Sequence, residues 1–405
     1  MLGSRNIVPL TRAIARRLLG LVLIALTLLV LVLRPTRLPA QTNEPETRTV
    51  APEPTTAAES DQPMSDPSQP LFPIVQDGKL GYIDASGNLV VAPRFTFSLG
   101  ARFFDRDLAV VALDGQGGLI NRAGDWVVEP SFTGIGEFSE GLARVRREEG
   151  WGFINRQGEL VIPLRYAAAR DFSQGLAAVQ SGDRWGFING AGDWVLDPDF
   201  TDARDFNAAG IVAVKAGDRW GFRNREDDWV LDPQFERVGD FSEGWATVQQ
   251  EGLWGWVSAT GELVVPPQFE GAGSFAAGLV DARQDGLVGY VRPDGSWAIA
   301  PQFDEGDRFT DGLALVQQDG RWGFIDTAGN WAIAPQFQSA WSFSEGLARV
   351  RIAGKIGFID TTGTLIISPT FDGASGFQQG LARVEVGDRL GYIDRTGQFV
   401  WPLSR

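Results

Sequence analysis

The residues of this chain that could do chemistry are mainly carboxylates and tryptophans. The sequence contains 51 Asp and Glu and 14 Trp, but no His and no Cys. Without His the chain lacks the commonest general base and metal ligand, and without Cys it lacks thiol nucleophiles, thiolate metal sites and disulfides. Catalysis would therefore need a carboxylate pair of the glycosidase type, and ligand stacking would need exposed indole rings.

The carboxylates form no distinctive catalytic pattern. The acid pairs Glu148-Glu149 and Asp227-Asp228 fall in expected turns, and the phosphate-binding motif Gly-x-x-x-x-Gly-Lys does not occur. We therefore predict that the chain is not an enzyme and that it uses no cofactor. A carboxylate glycosidase is the catalytic hypothesis that remains.

The tryptophans fall into two repeating sets and four exceptions. Five Trp directly precede a recurrent Gly, and five more follow that Gly by eight residues, where Leu stands in other copies. Positions that accept either Trp or Leu are usually core positions, so we expect both sets to pack, with indoles covering the neighbouring Gly. The candidate ligand-binding residues are the exceptions, Trp245, Trp256, Trp341 and Trp401.

Two polar series also recur. Asp or Asn stands at the first position of one turn in most copies, where its side chain would accept backbone N–H bonds, and one carboxylate per copy is too few for calcium. We therefore predict no metal site. A second series precedes the first strand of several copies and would form a polar stripe for a cationic or polymeric partner. Its members are Glu140, Gln174, Glu243, Asp311, Glu345 and Gln379.

These residues are positioned by ten tandem copies of one unit. Seven of the nine intervals between the recurrent glycines are 34 residues long. The apolar residues form short runs between turn residues and follow no helical period, which excludes helix pairs and indicates β-strands. The glycines that define repeats one to ten are Gly81, Gly118, Gly152, Gly186, Gly221, Gly255, Gly289, Gly323, Gly357 and Gly391.

Repeat eight illustrates the expected local structure. We predict strands at 312–317, 321–326 and 331–334. An Asp-Gly turn at 318–320 joins the first two, and a type I turn with a glycine bulge at 326–329 joins the second to the third. Each repeat is therefore expected to be a three-stranded antiparallel meander.

The end of the repeat has its own pattern. Pro335 is expected to end the third strand, because proline cannot donate to the hydrogen-bond ladder. The three apolar residues that follow are spaced by three, which favours a short 3₁₀-like segment crossing the edge of the sheet. They are Phe337, Ala340 and Phe343.

The motif Trp-Gly-Phe-Ile-Asn/Asp, followed by Gly, by Trp or Leu, by Pro-x-Phe and by Gly-Leu-Ala-x-Val, resembles the bacterial WG-containing repeat family. The resemblance covers residues 71–405. It implies a β-repeat scaffold and no particular activity. The motif Trp is replaced in half of the copies, at Leu80, Gly117, Val288, Ile356 and Leu390.

Two arrangements could bury both faces of such meanders, an open stack or a closed propeller. All ten units are whole, whereas many propellers close with a unit split between the termini and typically have 4–8 blades. The sequence therefore favours an all-β, open superhelical, solenoid-like array of ten three-stranded meanders. One or more closed β-propellers are the alternative.

The N-terminal region differs from the repeats. Residues 1–40 hold six Arg and no acid, and residues 18–33 are an uncharged apolar run. We predict a single membrane anchor with a cytoplasmic N-terminus, or alternatively a cleaved signal peptide that leaves a secreted or periplasmic protein. Residues 41–70 contain six Pro with few large apolar residues and are predicted to be a disordered tether. The repeat domain, 71–405, is then exported.

The overall charge limits the classes of molecule that the protein is expected to bind. The formal net charge is −15, and it is more negative still without the basic first 40 residues, which disfavours nucleic acid. We predict a membrane-anchored, non-catalytic scaffold that binds a protein or an envelope polymer, such as a polysaccharide, along an extended surface. A glycan or cell-wall-binding module with exposed Trp is the alternative. Local function is expected where repeats depart from the motif, at 117–119, 227–228, 292–293 and 103–107.

Overall fold

The computed structural model describes residues 69–96, 103–104 and 107–404, all within the unit Pro63–Arg405. The described residues form ten antiparallel β-sheets, one for each repeat, and none of these residues is helical. Within the described ranges there is consequently no helix with the length and hydropathy of a membrane span. The predicted anchor at 18–33 and almost all of the predicted tether lie outside those ranges.

Each sheet contains three main strands in the order of the sequence. The first strands are Leu71–Gln76, Leu108–Leu113, Leu142–Arg147, Leu176–Ser181, Val212–Ala216, Trp245–Gln250, Val280–Gln284, Leu313–Gln318, Leu347–Ile352 and Leu381–Val386. The second strands, which carry the motif Gly, are Lys79–Asp84, Gln116–Asn121, Gly150–Asn155, Arg184–Asn189, Arg219–Arg223, Leu253–Ser258, Leu287–Val291, Arg321–Asp326, Lys355–Asp360 and Arg389–Asp394. The third strands are Leu89–Phe95, Trp126–Phe132, Leu160–Tyr166, Trp194–Phe200, Trp229–Phe235, Leu263–Phe269, Trp297–Phe303, Trp331–Phe337, Leu365–Phe371 and Phe399–Ser404.

Nine sheets have a fourth strand, which we call the leading strand because it precedes the first strand in the chain and pairs with it. The leading strands are Phe103–Phe104, Gly134–Ser139, Ala168–Ala169, Asp202–Ala203, Arg237–Val238, Gly271–Ala272, Glu305–Thr310, Ser339–Ala340 and Gly373–Ala374. The prediction of three-stranded units is therefore wrong for these nine sheets. The segment expected to be 3₁₀-like is instead extended, and it carries the chain from one sheet into the next.

The turns agree with the sequence. Asp319 and Gly320 both have positive φ, 50° and 70°, as an Asp-Gly hairpin requires. In the next turn the Asp326 carboxylate accepts the N–H groups of Ala328 and Asn330 at 2.9 and 2.8 Å. The side-chain amide of Asn330 also donates to this carboxylate, at 3.1 Å, and this bond together with the backbone bonds holds the pKa of Asp326 below its usual range. Gly329 closes the turn with φ 86°.

Pro335 does not end the third strand as predicted. The strand continues to Phe337, and a bulge places the residues around Pro335 opposite the motif glycine, Gly323. A Cβ on Gly323 would lie 2.6 Å from the carbonyl oxygen of Ile333 and 2.8 Å from the nitrogen of Pro335. The motif Gly is therefore required because the bulged backbone passes directly over it.

The core of the fold lies between successive sheets. In one cluster, Phe324 of sheet eight packs on Phe343 of sheet nine, with ring centroids 4.7 Å apart. Phe337, which ends the third strand, is 7 % exposed, as expected from its periodic position. Equivalent pairs join other neighbouring sheets, including Phe153–Phe172, Phe187–Phe206, Trp256–Phe275, Tyr290–Phe309 and Phe358–Phe377.

The ring is closed by contacts between sheet ten and sheet one. Phe72 and Ile74 share a core cluster with Leu381 and Tyr392, and the Phe72 and Tyr392 ring centroids are 5.8 Å apart. The Tyr392 hydroxyl donates to the carbonyl of Pro73 at 2.8 Å. The prediction of an open array is therefore wrong, and the alternative is correct. The chain forms a ten-bladed β-propeller whose terminal blades cover each other's apolar faces.

Candidate functional site

A row of charged side chains follows the leading strands of sheets four to six, and we call it the charged row. Sheets four and five each place Arg-Asp directly before the buried Phe, and sheet six places an Asp there. The first strand of sheet three adds one Arg. The charged row consists of Arg144, Arg170, Asp171, Arg204, Asp205 and Asp240.

Ion pairs along the charged row connect neighbouring sheets. Arg144 of sheet three lies 3.1 Å from the carboxylate of Asp171 in sheet four, and Arg204 of sheet five lies 3.7 Å from that of Asp240 in sheet six. Arg144 also donates to the Ala169 carbonyl at 2.9 Å. The row is thus an alternation of guanidinium and carboxylate groups across four blades.

The guanidinium groups also contact the motif tryptophans. The Arg144 guanidinium lies 5.6 Å from the ring of Trp151, and the Arg204 guanidinium lies 5.4 Å from that of Trp220. Such cation–π contacts orient the planar guanidinium and leave its edges for hydrogen bonding. The motif Trp therefore forms a platform beneath the charged row.

Two carboxylates of the row, Asp171 and Asp205, have raised pKa values. Burial raises the pKa of Asp171, an effect that Arg144 opposes. Burial likewise raises the pKa of Asp205, which Arg170 lowers and Asp240 raises. A half-buried carboxylate such as Asp171 binds donors from a ligand more strongly than an exposed carboxylate does.

Two cavities open beside the charged row, and Arg204 borders both. The larger, of about 510 Å³, is lined by Asp205, Phe206, Asp240 and Phe241 among others. The smaller, of about 390 Å³, has Trp220, Thr247 and Trp254 in its walls. Together they offer charged donors, charged acceptors and aromatic faces, which suits a polar polymer segment or a protein loop.

The four tryptophans predicted to bind ligand are not brought together. Trp256 is fully buried, stacks on Phe269 with ring centroids 5.3 Å apart, and donates from Nε1 to the Pro293 carbonyl at 2.8 Å. This contact also gives a structural role to the departure from the motif at Arg292-Pro293. With its ring covered and its N–H satisfied, Trp256 presents nothing to a ligand.

The other three candidates are half-buried and lie in different sheets. The Trp245 ring packs on Phe275 at 5.6 Å, and the Arg349 guanidinium lies 4.9 Å from the Trp341 ring. Trp401 donates from Nε1 to Ser404 at 3.3 Å, beside the seam between sheets ten and one. Ligand binding by Trp245, Trp341 and Trp401 stays a prediction.

The Trp that follows the motif Gly by eight residues does cover that Gly, as predicted. A Cβ on Gly323 would come within 2.9 Å of the Trp331 ring. However, Trp331 and its equivalent Trp194 remain 38 % and 37 % exposed, so the position is only partly a core position. Each of these rings packs edge-on against an aromatic ring of the preceding sheet, Phe303 and Tyr166 respectively.

Four of the six members of the polar series expected to form a stripe bond the neighbouring sheet. Glu345 accepts the backbone N–H groups of Gln379 and Gly380 at 2.5 and 2.9 Å, and Glu243 accepts those of Ala277 and Gly278 at 2.9 and 2.8 Å. Asp311 and Glu140 make equivalent bonds to the next sheet, to Gly346 and Gly175. These carboxylates are occupied by backbone donors.

A strongly perturbed carboxyl group lies apart from the charged row. Asp281, on the first strand of sheet seven, has its pKa raised to about 6 by burial, with Asp307 of sheet eight adding to the effect. The hydroxyl of Tyr290, which pairs with Asp281 across the sheet, donates to the Asp307 carbonyl at 2.8 Å.

The remaining departures from the motif have mainly local explanations. Asp227 has φ 69° and pairs with Arg223 at 2.6 Å. Gly117 pairs with Phe132 across the sheet and faces the side chain of Ile135. Of the segment 103–107, residues 105–106 lie outside the described ranges.

The charged row was missed at the level of sequence. Its signal was available, because Ala-Arg-Asp-Phe occurs at 169–172 and again at 203–206, one repeat apart. The recurrence of the apolar residues does not by itself reveal the charges between them.

Comparison with known proteins identifies the repeat. A family model described as the WG containing repeat matches residues 81–116, 118–150, 151–185, 185–220, 220–254, 254–287, 289–322, 322–355 and 356–389. A comparison with curated proteins found no match.

Several solved structures are similar in outline. A structure titled as the eukaryotic initiation factor has 13 % identity and a TM-score of 0.49, over 84 % of this chain and 97 % of that one. BamB from Moraxella catarrhalis has 13 % identity and a TM-score of 0.34, over 67 % and 96 %. Hsv2p from Kluyveromyces lactis has 14 % identity and a TM-score of 0.32, over 55 % and 92 %. With TM-scores below 0.5, these structures give no guide to function.

Proposed function

Because this chain belongs to the WG-containing repeat family and closes into a ten-bladed propeller, we propose that it is a non-catalytic scaffold that binds a protein or an envelope polymer. The observation that carries the proposal is the charged row with its two cavities, which offers many polar groups in a fixed arrangement. Residues 18–33 are proposed to anchor the scaffold in the cytoplasmic membrane, with the propeller outside the cytoplasm.

Rigidity supports a role in binding. Each hydrogen bond from a carboxylate or hydroxyl group to the next sheet restricts the relative motion of the blades. The side chains of the charged row are therefore fixed in position before a partner binds. Preorganised groups lose little conformational entropy on binding, which favours affinity at a polar site. In a propeller, the positions that could contact a partner lie around a ring and not along the extended surface expected of an open array.

The ion pairs of the row favour binding over catalysis. A glycosidase needs one carboxyl group to donate a proton and another to act as base or nucleophile. In the charged row, Asp171 and Asp240 each form an ion pair with an Arg, which occupies the carboxylate that a base or nucleophile would need.

The test is to compare partner capture by the full-length chain, solubilised in detergent, with that by two variants. Arg204→Ala removes the side chain that borders both cavities, whereas Arg349→Ala removes an Arg from a first strand far from the row. A partner recovered from envelope extract by wild type and Arg349→Ala, but lost with Arg204→Ala, would support the proposal. Equal recovery by all three proteins would contradict it.

The glycan alternative can be tested with the same proteins. Trp220 and Trp254 line the smaller cavity, so a bound polysaccharide would change tryptophan fluorescence and protect it from aqueous quenchers. If envelope polysaccharide leaves both signals unchanged while a protein partner is captured, the site binds protein.

A further inference from the structure

Sheet six departs from the pattern of the charged row. In each of sheets three, four and five, a guanidinium lies over the motif Trp of the same sheet, at 5.6, 5.9 and 5.4 Å from the ring. The pairs are Arg144–Trp151, Arg170–Trp185 and Arg204–Trp220. Sheet six keeps the motif Trp, as Trp254, but no guanidinium of the described ranges lies over its ring.

The two positions that supply the guanidinium in other sheets hold small residues in sheet six. Gly239 donates its backbone N–H to the carbonyl of Thr247, as Arg204 donates to that of Ala213 in sheet five, so Gly239 stands at the Arg204 position. Thr247 stands at the position of Arg144 on the first strand. A Cβ on Gly239 would lie 2.5 Å from the Thr247 hydroxyl oxygen. The hydroxyl therefore occupies the space in which a side chain at position 239 would begin.

The smaller of the two cavities beside the charged row lies at this place. Its volume is about 390 Å³, and its walls include Gly239, Thr247 and Trp254. All of its lining residues belong to the leading, first or second strands of sheets five to seven or to the segments that follow them, within the continuously described range 107–404. The ranges outside the description adjoin sheets one, two and ten. The shape of the cavity is therefore set by described residues.

The carbonyl that accepts a guanidinium at other seams is also present at this cavity. Arg144 and Arg349 each donate to the leading-strand carbonyl of the next sheet, Ala169 and Ala374, at 2.9 and 2.7 Å. Ala272 holds the same position in sheet seven, pairs with its first strand in the same register, and lines the cavity. Among the described residues, no side chain donates to the Ala272 carbonyl. The ring and the carbonyl that hold a guanidinium elsewhere thus border one cavity.

The charges around the cavity accept a further cation. Asp240 lies 3.7 Å from Arg204, and the Asp281 carboxyl group lies 2.1 Å from the position of a Cβ on Gly273, which lines the cavity. These two carboxyl groups offset the two cations of the cavity wall, Arg204 and Arg237. The net charge of −15 then attracts cationic partners to the chain as a whole. A guanidinium fits better than an ammonium group, because its plane stacks on an indole while its edge donates hydrogen bonds.

These groups define a ligand. We propose that the cavity beside Trp254 binds an Arg side chain of a partner protein. The guanidinium would lie over the Trp254 ring and donate to the Ala272 carbonyl. Sheet three shows this arrangement within the chain, since Arg144 lies over Trp151 and donates to Ala169. The proposal rests on the proposed function, and it specifies the partner as a protein and the residue that the smaller cavity takes.

The experiment measures binding of N-acetyl-arginine amide to the full-length chain in detergent by saturation-transfer NMR. We expect saturable binding with a Kd on the order of 1 mM, since a single side chain makes few contacts. N-acetyl-lysine amide and N-acetyl-citrulline amide are the controls. Each should bind at least about fivefold more weakly, because lysine lacks the planar donor group and citrulline lacks the charge. Equal binding of either control would overturn the proposal.

Trp254→Leu removes the ring on which the guanidinium would lie. The variant should bind the arginine probe about fivefold more weakly. It should also fold, because Leu stands at this position in two other repeats, as Leu80 and Leu390. Trp322→Leu is the matched control, since Trp322 holds the same position in sheet eight, and it should bind the probe as wild type does.

A second variant supplies the guanidinium from the chain itself. Gly239→Arg combined with Thr247→Ala reproduces the pair formed by Arg204 and Ala213 in sheet five, and it should abolish binding of the arginine probe. Thr247→Ala alone should still bind it. The proposal is overturned if wild type does not bind the probe, if Trp254→Leu binds it as tightly as wild type does, or if the double variant still binds it.

Two other occupants are outcomes of the same measurement. Binding of glucuronate in place of the arginine probe would show that the cavity takes an acidic sugar. Probe binding that appears only after Arg34, Arg37 and Arg48 are changed to Ala would assign the cavity to the chain's own Arg. Either result overturns the proposal. If the probe does not bind but Arg204→Ala still abolishes partner capture, only this inference is refuted; if the probe binds but capture does not depend on Arg204, the proposed function is refuted instead.

Discussion

The hydroxyl of Tyr392 in sheet ten donates a 2.8 Å hydrogen bond to the carbonyl of Pro73 in sheet one, across 319 residues of sequence. This bond joins the two ends of the repeat array. Tyr392 is 9 % exposed, and burial raises its pKa to about 12, so the phenol remains protonated and able to donate at neutral pH.

Tyr392→Phe tests the contribution of this bond to closure. The variant should lose about 0.5–1.5 kcal/mol in the free energy of unfolding, measured with urea. Tyr290→Phe is the control, because Tyr290 donates a bond of the same length to Asp307 at an interior seam. Amide exchange in Leu71–Gln76 should become faster in Tyr392→Phe only. Unchanged exchange there would show that the bond does not hold the seam.

Gly323→Ala tests the close approach of the bulged third strand. The added Cβ would meet backbone atoms of Ile333 and Pro335 at 2.6 and 2.8 Å, so we expect a loss of about 1–3 kcal/mol or more. Gly190→Ala is the control, since Gly190 lacks positive φ and has open space around the added atom. It should change stability by less than about 1 kcal/mol. Equal effects of the two changes would refute the explanation.

Glu345→Ala tests the bonds between sheets nine and ten. The change removes the acceptor of two backbone N–H groups, at 2.5 and 2.9 Å. We expect a loss of about 1 kcal/mol, less than is usual for a charged acceptor, because the Glu345 carboxylate is exposed. Glu148→Ala, in an exposed turn of repeat three, should have almost no effect. Thermal unfolding of the three proteins at the same ionic strength measures the difference.

Asp281→Asn tests the buried carboxyl group. Its pKa in the folded chain is about 6, against 3.8 for an ordinary Asp, so between about pH 4 and pH 6 the folded state holds a proton that the unfolded state releases. The contribution of Asp281 to stability is therefore fully present below pH 4, falls as the pH rises through this window, and stays low above it. From pH 4 to pH 7, Asp281→Asn should gain about 1–3 kcal/mol relative to wild type.

Urea unfolding at several pH values measures this change. Asp285→Asn, in the exposed turn that follows, should show no comparable gain. A constant difference between wild type and Asp281→Asn across the window would show that the carboxyl group is not perturbed. A glycan hydrolysis that Asp281→Asn abolishes would instead support the glycosidase hypothesis.

Much of the local structure was predictable from sequence, because it depends on residues close together in the chain. The turn at Asp326 to Gly329 follows from an Asp acceptor and a Gly with positive φ, and the burial of Phe337 follows from its recurrence. The leading strand was not predictable in this way. Ser339–Ala340 is two residues long and pairs with a strand of the next repeat, so no local period marks it.

Closure was not predictable for a different reason. It depends on the angle between neighbouring sheets, which is set by side chains such as Phe324 and Phe343 that meet across the seam. A small change in that angle converts an open stack into a ring. The bonds from Glu345 to the next sheet were likewise hidden, because the sequence shows a recurring carboxylate but not the backbone donor one repeat away. The candidate site is formed by the charged residues between the apolar positions, among them Arg204 and Asp205.

The hydrogen bonds between sheets also bear on how such a ring can change size. Ser173 bonds Phe206, Ser344 bonds Phe377, and Glu345 bonds Gln379, so each partner lies 33 or 34 residues away. Duplicating or removing one whole repeat would therefore leave every such pairing intact and alter only the circumference. A single genetic event can therefore change the number of blades while the contacts between neighbouring repeats stay the same. The contact that must adjust is the seam where Tyr392 meets Pro73.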